Sequence, residues 1–142
     1  MNVISTNPPA WFRIVAVLAV LWNCVGVYFY LFHVGAVPGP EMSVEEQAAM
    51  AMLPSWSTAA FAIGVFAGLL GSLGLLLAKS WSRLLLLLSL LALIALEGWF
   101  VFMTDAVATM GPSTYVMPAL IVGIAILLVW VANTAAKRGW LS

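Results

Sequence analysis

Charged side chains are scarce in this sequence. Its 142 residues include five Lys or Arg, five Asp or Glu and one His, so 7% of the chain is charged, whereas 65% is hydrophobic. A soluble domain carries about 25% charged residues, so the composition excludes an ordinary water-soluble fold. The small number of basic residues also excludes nucleic acid as a partner.

Cysteine and histidine each occur once, as Cys24 and His33. A single cysteine cannot form an internal disulfide, which excludes a thiol–disulfide membrane oxidoreductase. One histidine cannot supply bis-histidine haem ligation, and no second soft ligand accompanies it. No glycine-rich phosphate loop and no pairing of a nucleophile with a base is visible. We therefore expect no enzyme activity, no cofactor and no metal.

Long apolar runs are abundant. A helix of about 20 residues crosses ~30 Å of hydrocarbon, and four runs have roughly this length, at about 11–34, 56–78, 82–104 and 115–136. They are continuous rather than alternating, which favours helices over a membrane β-barrel. We predict an all-α fold, a four-span transmembrane helical bundle that forms a single membrane domain over 1–142. A short interfacial helix at about 44–53, with a capping box from Ser43 to Glu46, is expected at its outer surface.

The charges that are present predict an orientation. All five basic residues lie near the termini or in the second loop, at Arg13, Lys79, Arg83, Lys137 and Arg138. The first loop carries Glu41, Glu45 and Glu46, the third carries Asp105, and neither has a basic residue. The positive-inside rule then places both termini in the cytoplasm. We expect a multi-pass protein whose main partner is the lipid bilayer.

The two halves of the sequence share features. The first begins with Trp-Phe-Arg at 11–13 and the second with Trp-Ser-Arg at 81–83, while Gly26 and Gly98 open similar aromatic-rich ends of the first and third spans. A duplication would give two parallel helical hairpins, a 2+2 arrangement. The alternative is that any two membrane hairpins share tryptophan and lysine at their ends.

The second span carries a face of small residues that includes Gly64, Gly68 and Gly71. Gly64 and Gly68 form a GxxxG motif, and in lipid such small residues let two helices approach closely. Two interpretations remain open. The face packs against other helices of the same bundle, or it joins two subunits into a homo-oligomer.

Glu97 is the only carboxylate within a predicted span. Inserting a charged side chain there costs roughly 3 kcal/mol or more. In the first span Asn23 and Tyr30 share a helix face, and Asn23 lies near the depth of Glu97. One interpretation is a buried polar network in which Asn23, Tyr30 and Glu97 hold helices together. The other is a pathway lined by the same three residues, with Glu97 linked to protons or substrate.

The sequence resembles a family of small four-helix bacterial inner-membrane proteins along nearly its whole length. The resemblance lies in Trp22-Asn23 with Gly26, in the Pro54/Trp56 start of the second span and in its glycine-rich face. It implies a bacterial inner (plasma) membrane location. Members often carry the label sugar transporter without an established activity. The chain differs from semi-SWEET sugar carriers, which have three spans and Pro-Gln pairs, and from small multidrug exporters, whose essential glutamate is in the first span.

Two classes of function follow from these features. The first is an accessory or interaction subunit that docks a membrane partner or a lipid, because the loops are minimal. The second is a small oligomeric carrier or channel for a small solute, with Glu97 as a proton-linked group. In either class we expect a homo-oligomer or a subunit of a larger membrane complex. A Glu97→Gln substitution distinguishes them, because it should abolish flux through a carrier and be mild where Glu97 only holds helices together.

Overall fold

The computed structural model of the protein describes residues 7–142, apart from the side chains of Ala106 and Thr109. The elements are α1 (Ala10–His33), α2 (Val44–Ala51), α3 (Trp56–Leu76), α4 (Ser82–Met103), α5 (Ala106–Met110), a 3-10 helix (Pro112–Tyr115) and α6 (Val116–Lys137). No strand occurs in this part of the chain. The predicted all-α fold is confirmed, and the four long helices begin and end within about two residues of the predicted spans.

Four helices, α1, α3, α4 and α6, are long and apolar enough to cross a membrane. Large apolar side chains cover their outward faces, and Leu18 and Leu84 are 59% and 72% exposed. Helices of this length with apolar surfaces match the hydrocarbon core of a bilayer. The chain is therefore a multi-pass membrane protein.

The long helices pack in the order α1, α3, α4 and α6, so that α3 lies between α1 and α4. The C-terminal segment folds back to the end where α1 begins, and the rings of Phe12 and Trp140 lie 5.6 Å apart. Ser142 exchanges backbone hydrogen bonds with Ala78 and Ser80 in the α3–α4 loop. We name this end of the bundle the termini half. The opposite end, which carries α2 and α5, is named the loop half.

The same pattern of burial occurs in α1 and α4. Buried positions recur 70 residues apart, at Phe12 and Ser82, Ala16 and Leu86, and Ala19 and Ser89. This is also the offset between the Trp-Phe-Arg and Trp-Ser-Arg segments. Each half of the chain is a hairpin made of a long helix, a short helix and a second long helix. The short helix of the second hairpin, α5, was not predicted from the sequence.

The loop helix α2 begins with the predicted capping box. Ser43 Oγ accepts a hydrogen bond from the backbone N–H of Glu46 at 3.1 Å, and the Glu46 carboxylate accepts one from the backbone N–H of Ser43 at 2.7 Å. These two bonds satisfy N–H groups that the first turn of a helix leaves unpaired. The helix is therefore fixed at its start, which places the acidic first turn of α2 at the loop half.

The closely packed core lies in the termini half. It consists of Phe12, Ala16, Ala19, Leu75, Leu86, Leu128, Val131, Ala132, Ala135 and Trp140. All four long helices contribute to it. Helices in lipid gain little from hydrophobic exclusion and associate mainly through close packing. Small side chains in this core allow that packing, and the termini half is closed as a result.

Candidate functional site

The glycine face of α3 is used for contacts within the chain. A Cβ atom on Gly64 would lie 2.6 Å from Cδ2 of Leu93, and one on Gly71 would lie 2.7 Å from a leucine side chain of α4. On Gly68 a Cβ would overlap the side-chain oxygen of Asn23. Real Cβ atoms essentially never approach a neighbour closer than 3.0 Å. These glycines therefore let α3 contact α4 on one side and α1 on the other.

Asn23 forms a polar contact at the middle of the bundle, where it is 8% exposed. Its Nδ2 donates to the carbonyl of Ala19 at 2.8 Å and to Oγ of Ser72 at 3.1 Å. Ser72 Oγ in turn donates to the carbonyl of Gly68 at 2.7 Å. A side-chain hydrogen bond between helices in lipid contributes on the order of 1 kcal/mol. Asn23 thus joins α1 to α3 where the termini half ends.

Ser72 and Ser89 belong to this polar layer, although neither was predicted as a site residue. Ser89 Oγ donates to the carbonyl of Gly64 at 2.6 Å and so joins α4 to α3. The sequence carried a signal for both. Ser72 follows Gly68 by one helical turn, and Ser89 is the one polar residue in a long apolar run. A void of about 10 Å³ adjoins this layer, with room for about one water molecule.

A cavity opens between the helices on the loop side of Asn23. This central cavity has a volume of about 260 Å³. All four long helices line it, with side chains that include Trp22, Asn23, Val25, Phe29, Phe61, Val65, Leu93, Glu97, Met117 and Ile121. Asn23 and Glu97 carry its hydrogen-bonding groups apart from the indole of Trp22. The rest of the wall is apolar or aromatic.

A larger cavity, the vestibule, lies between the central cavity and the loops. Its volume is about 590 Å³, and α2, the 3-10 helix and the loop ends of α1, α4 and α6 surround it. The two cavities share five lining side chains, namely Phe29, Phe61, Glu97, Met117 and Ile121. They therefore adjoin and form one space that narrows from the loop surface towards Asn23.

Glu97 lies where the two cavities meet. Its side chain is half-buried and lines both of them. No residue within 7–142 makes a hydrogen bond or an ion pair with its carboxyl group. Removing a carboxyl from water without such partners is costly. The arrangement therefore leaves the carboxyl available to a proton or to a solute that enters the cavity.

The three predicted polar residues do not form one network. Tyr30 packs edge-on against Phe61 and Phe66, with ring centroids 5.6 Å apart in both pairs, and it lines neither cavity. The reason is that α1 packs against α3 near Tyr30, so the Tyr30 ring contacts side chains of α3. Asn23 and Glu97 do line the central cavity together. Within the described chain, however, no hydrogen bond links any two of the three.

His33 and Glu46 of α2 add two further titratable groups to the vestibule wall, which Glu97 also lines. Its Nε2 lies 3.5 Å from Oγ1 of Thr58. Its Nδ1 is buried and has no hydrogen-bond partner among the residues described. The ring packs against Phe61 with centroids 5.7 Å apart. His33 thus presents an imidazole near the loop ends of α1 and α3.

Within the described part of the chain, no three His, Cys, Asp or Glu side chains lie close enough to hold a metal ion. The chemistry open to the carboxyl of Glu97 is hydrogen bonding, proton exchange or pairing with a cation.

No family profile, curated protein or solved structure matches the chain. The resemblance to small four-helix bacterial inner-membrane proteins stays a prediction from the sequence.

Proposed function

We propose that the protein is a small membrane carrier that binds a solute in the central cavity. The observation that carries this proposal is the position of Glu97. Its half-buried carboxyl has no partner among the described residues and lies at the junction of the central cavity and the vestibule. In this proposal Glu97 holds either a proton or the solute, so the movement of one is linked to the movement of the other.

The size and lining of the cavities support solute binding. Small-molecule sites have volumes of about 300–1,000 Å³ and mostly apolar walls with a few polar groups. The central cavity and the vestibule measure about 260 and 590 Å³, and Glu97 and Asn23 are the polar groups nearest the closed end. Such a space accommodates a small organic molecule that enters from the loop half.

The closed termini half favours a carrier over a channel. A channel in its conducting state needs a path through the whole bundle, whereas a carrier opens to one side at a time. Here the space ends at Asn23, and the core around Phe12 and Trp140 lies beyond it. In this proposal transport requires the Asn23–Ser72 contact to separate while the loop half closes.

Charge supports an orientation for this carrier. The five basic residues lie at the termini end of the bundle and in the α3–α4 loop. The positive-inside rule then puts both termini in the cytoplasm and the vestibule on the opposite side. We propose that the protein resides in a bacterial inner membrane, with the vestibule open to the outside. No enzymatic activity is proposed.

Glu97→Gln in proteoliposomes tests the carrier. Vesicles that contain a pH-sensitive dye are exposed to a panel of small sugars, amines and carboxylates, and solute-dependent proton movement is recorded. We expect one class of solute to move protons with the wild-type protein, and Glu97→Gln to abolish the signal because the amide cannot exchange a proton. Glu45→Gln is the matched control, because Glu45 is exposed on α2 and lines neither cavity. An equal signal from Glu97→Gln and wild type would contradict the proposal.

An accessory subunit remains the second candidate, and one observation favours it. Ile14, Leu18 and Leu21 form an exposed stripe on α1, each more than half exposed. Their spacing of four and three residues suits packing against a second helix. Native mass spectrometry after gentle extraction tests this candidate. Co-release with a larger membrane complex would support it, and a homo-oligomer or a monomer without other chains would favour the carrier.

A further inference from the structure

The charges of the protein are separated along the bundle axis. All five acidic residues lie in the loop half or its loops, at Glu41, Glu45, Glu46, Glu97 and Asp105, and all five basic residues lie at the other end. Charges of one sign around a cleft with low-dielectric walls raise the local concentration of oppositely charged solutes. The entrance to the vestibule therefore attracts cations and repels anions.

The side chains that line the two cavities also favour cations over anions. Glu46 and Glu97 are the charged side chains that line them, and no Lys or Arg does. His33 is the remaining titratable group that faces the vestibule. A carboxylate in a partly dehydrated space pairs more strongly with a cation than it would in water. A cation that reaches Glu97 meets no Lys or Arg among the side chains that line the two cavities.

Aromatic rings line the same two cavities as Glu97. Phe29 and Phe61 line both cavities, and Phe32 and Phe100 line the vestibule. The face of an aromatic ring attracts a cation, most strongly where water is displaced. Rings beside a carboxylate are a common arrangement for binding organic cations. The same rings offer an apolar surface to the uncharged part of such a molecule.

A sugar fits this space poorly. Its hydroxyl groups need several hydrogen-bonding partners, because each unpaired polar group in a dry site costs free energy. The central cavity offers few, and the amide nitrogen of Asn23 is already bound to Ala19 and Ser72. An organic cation needs only one counter-charge and an apolar wall.

We propose that the solute is a small organic cation with an apolar body, such as a lipophilic amine or a quaternary ammonium ion. Its charge pairs with Glu97, and its apolar part packs on Phe29 and Phe61. This inference rests on the proposed carrier function and specifies its substrate class. The cation and a proton then compete for the same carboxyl group, so binding of one releases the other.

Three probes of nearly equal shape and different charge test this inference. They are benzyltrimethylammonium, neutral neopentylbenzene and anionic phenylmethanesulfonate. Binding to the full-length protein in nanodiscs is measured by titration calorimetry, with empty nanodiscs subtracted. We expect the cation to bind at least tenfold more tightly than the neutral and anionic probes. Glu97→Gln should lower the affinity for the cation at least tenfold and leave the affinity for the neutral probe unchanged. Phe61→Leu should lower the affinity for the cation several-fold.

A substitution that fills the cavity tests where the cation binds. Met117 lines both cavities, so Met117→Trp should block binding of the cation. Leu120 lies one turn away, is 45% exposed and lines neither cavity, so Leu120→Trp should bind it like the wild type. Equal loss in both variants, or none in either, would show that the cation binds elsewhere and would overturn the assignment.

The outcomes separate this inference from the proposed function. Tighter binding of the neutral or anionic probe, blocked by Met117→Trp, would overturn the cation assignment and leave the carrier in place. If none of the three probes binds, the cation assignment fails. The carrier function is then still tested by the vesicle assay, which compares proton movement driven by other solute classes in the wild type and in Glu97→Gln. Cation binding that Glu97→Gln does not weaken also contradicts the inference.

Discussion

The termini half and the loop half are built differently from the same four helices. In the termini half Phe12 is 1% exposed and Ala132 is fully buried. In the loop half the helices enclose a central cavity of about 260 Å³ that adjoins a vestibule of about 590 Å³. The contrast is visible within α1 alone, because its buried residues stop at Asn23.

Side-chain size explains the difference. Small residues such as Ala16, Ala19 and Gly71 let the helices of the termini half approach closely. In the loop half, rings such as Phe29 and Phe61 occupy the facing positions and line an open space. Packing stability and the proposed solute binding therefore reside in different parts of the bundle. Substitutions of the same kind in the two halves should change different measurements.

Phenylalanine truncation gives the largest expected contrast. Phe12→Ala leaves a void between Phe12's neighbours Trp11 and Trp140, and we expect about 3 kcal/mol of destabilisation, near the low end for buried aromatic residues. Phe29→Ala should cost less than about 1 kcal/mol, because Phe29 is 45% exposed beside a cavity and exposed substitutions change stability little. Denaturant unfolding in mixed micelles, followed by circular dichroism, measures both. Equal losses would remove the distinction between the halves.

Adding one methyl group to a glycine gives the next largest contrast. Gly68→Ala forces Asn23 and Ser89 to move, and overpacking of this kind costs about 2 kcal/mol. Gly98→Ala is the matched control, since a Cβ there meets nothing within 4 Å. It should be neutral or slightly stabilising. Unfolding in the same micelles checks the pair, and a tolerated Gly68→Ala would show that α1 and α3 are not tightly joined.

The architecture of the protein could be predicted from the sequence. Four continuous apolar runs of membrane-spanning length define the long helices, and the Ser43–Glu46 spacing defines the start of α2. Both signals are local, since a helix satisfies its own backbone hydrogen bonds and its start depends on a few side chains. The helix α5 was missed because five residues are too few to show a helical pattern, and its N-cap residue Asp105 makes no side-chain cap hydrogen bond.

The site could be predicted only in part. Glu97 was singled out because a carboxyl in an apolar span is costly. Asn23 and Tyr30 were grouped because their spacing puts them on one face of the first helix. Which neighbour each residue meets depends on how α1 tilts against α3, and a single helix face does not contain that information. Tyr30 was therefore placed with Glu97 although it packs on Phe61 and Phe66. The cavity was not predictable for the same reason.

The smallest contrast concerns the two polar side chains of the central cavity. Asn23→Leu removes the bonds to Ala19 and Ser72, so we expect about 1 kcal/mol of destabilisation. Glu97→Leu should leave stability unchanged or raise it, because it removes a half-buried carboxyl that has no partner among the described residues. Both variants are compared with wild type by unfolding in mixed micelles. If Glu97→Leu loosened the bundle as much as Asn23→Leu, Glu97 would be a structural contact, and its availability to a solute would lose its basis.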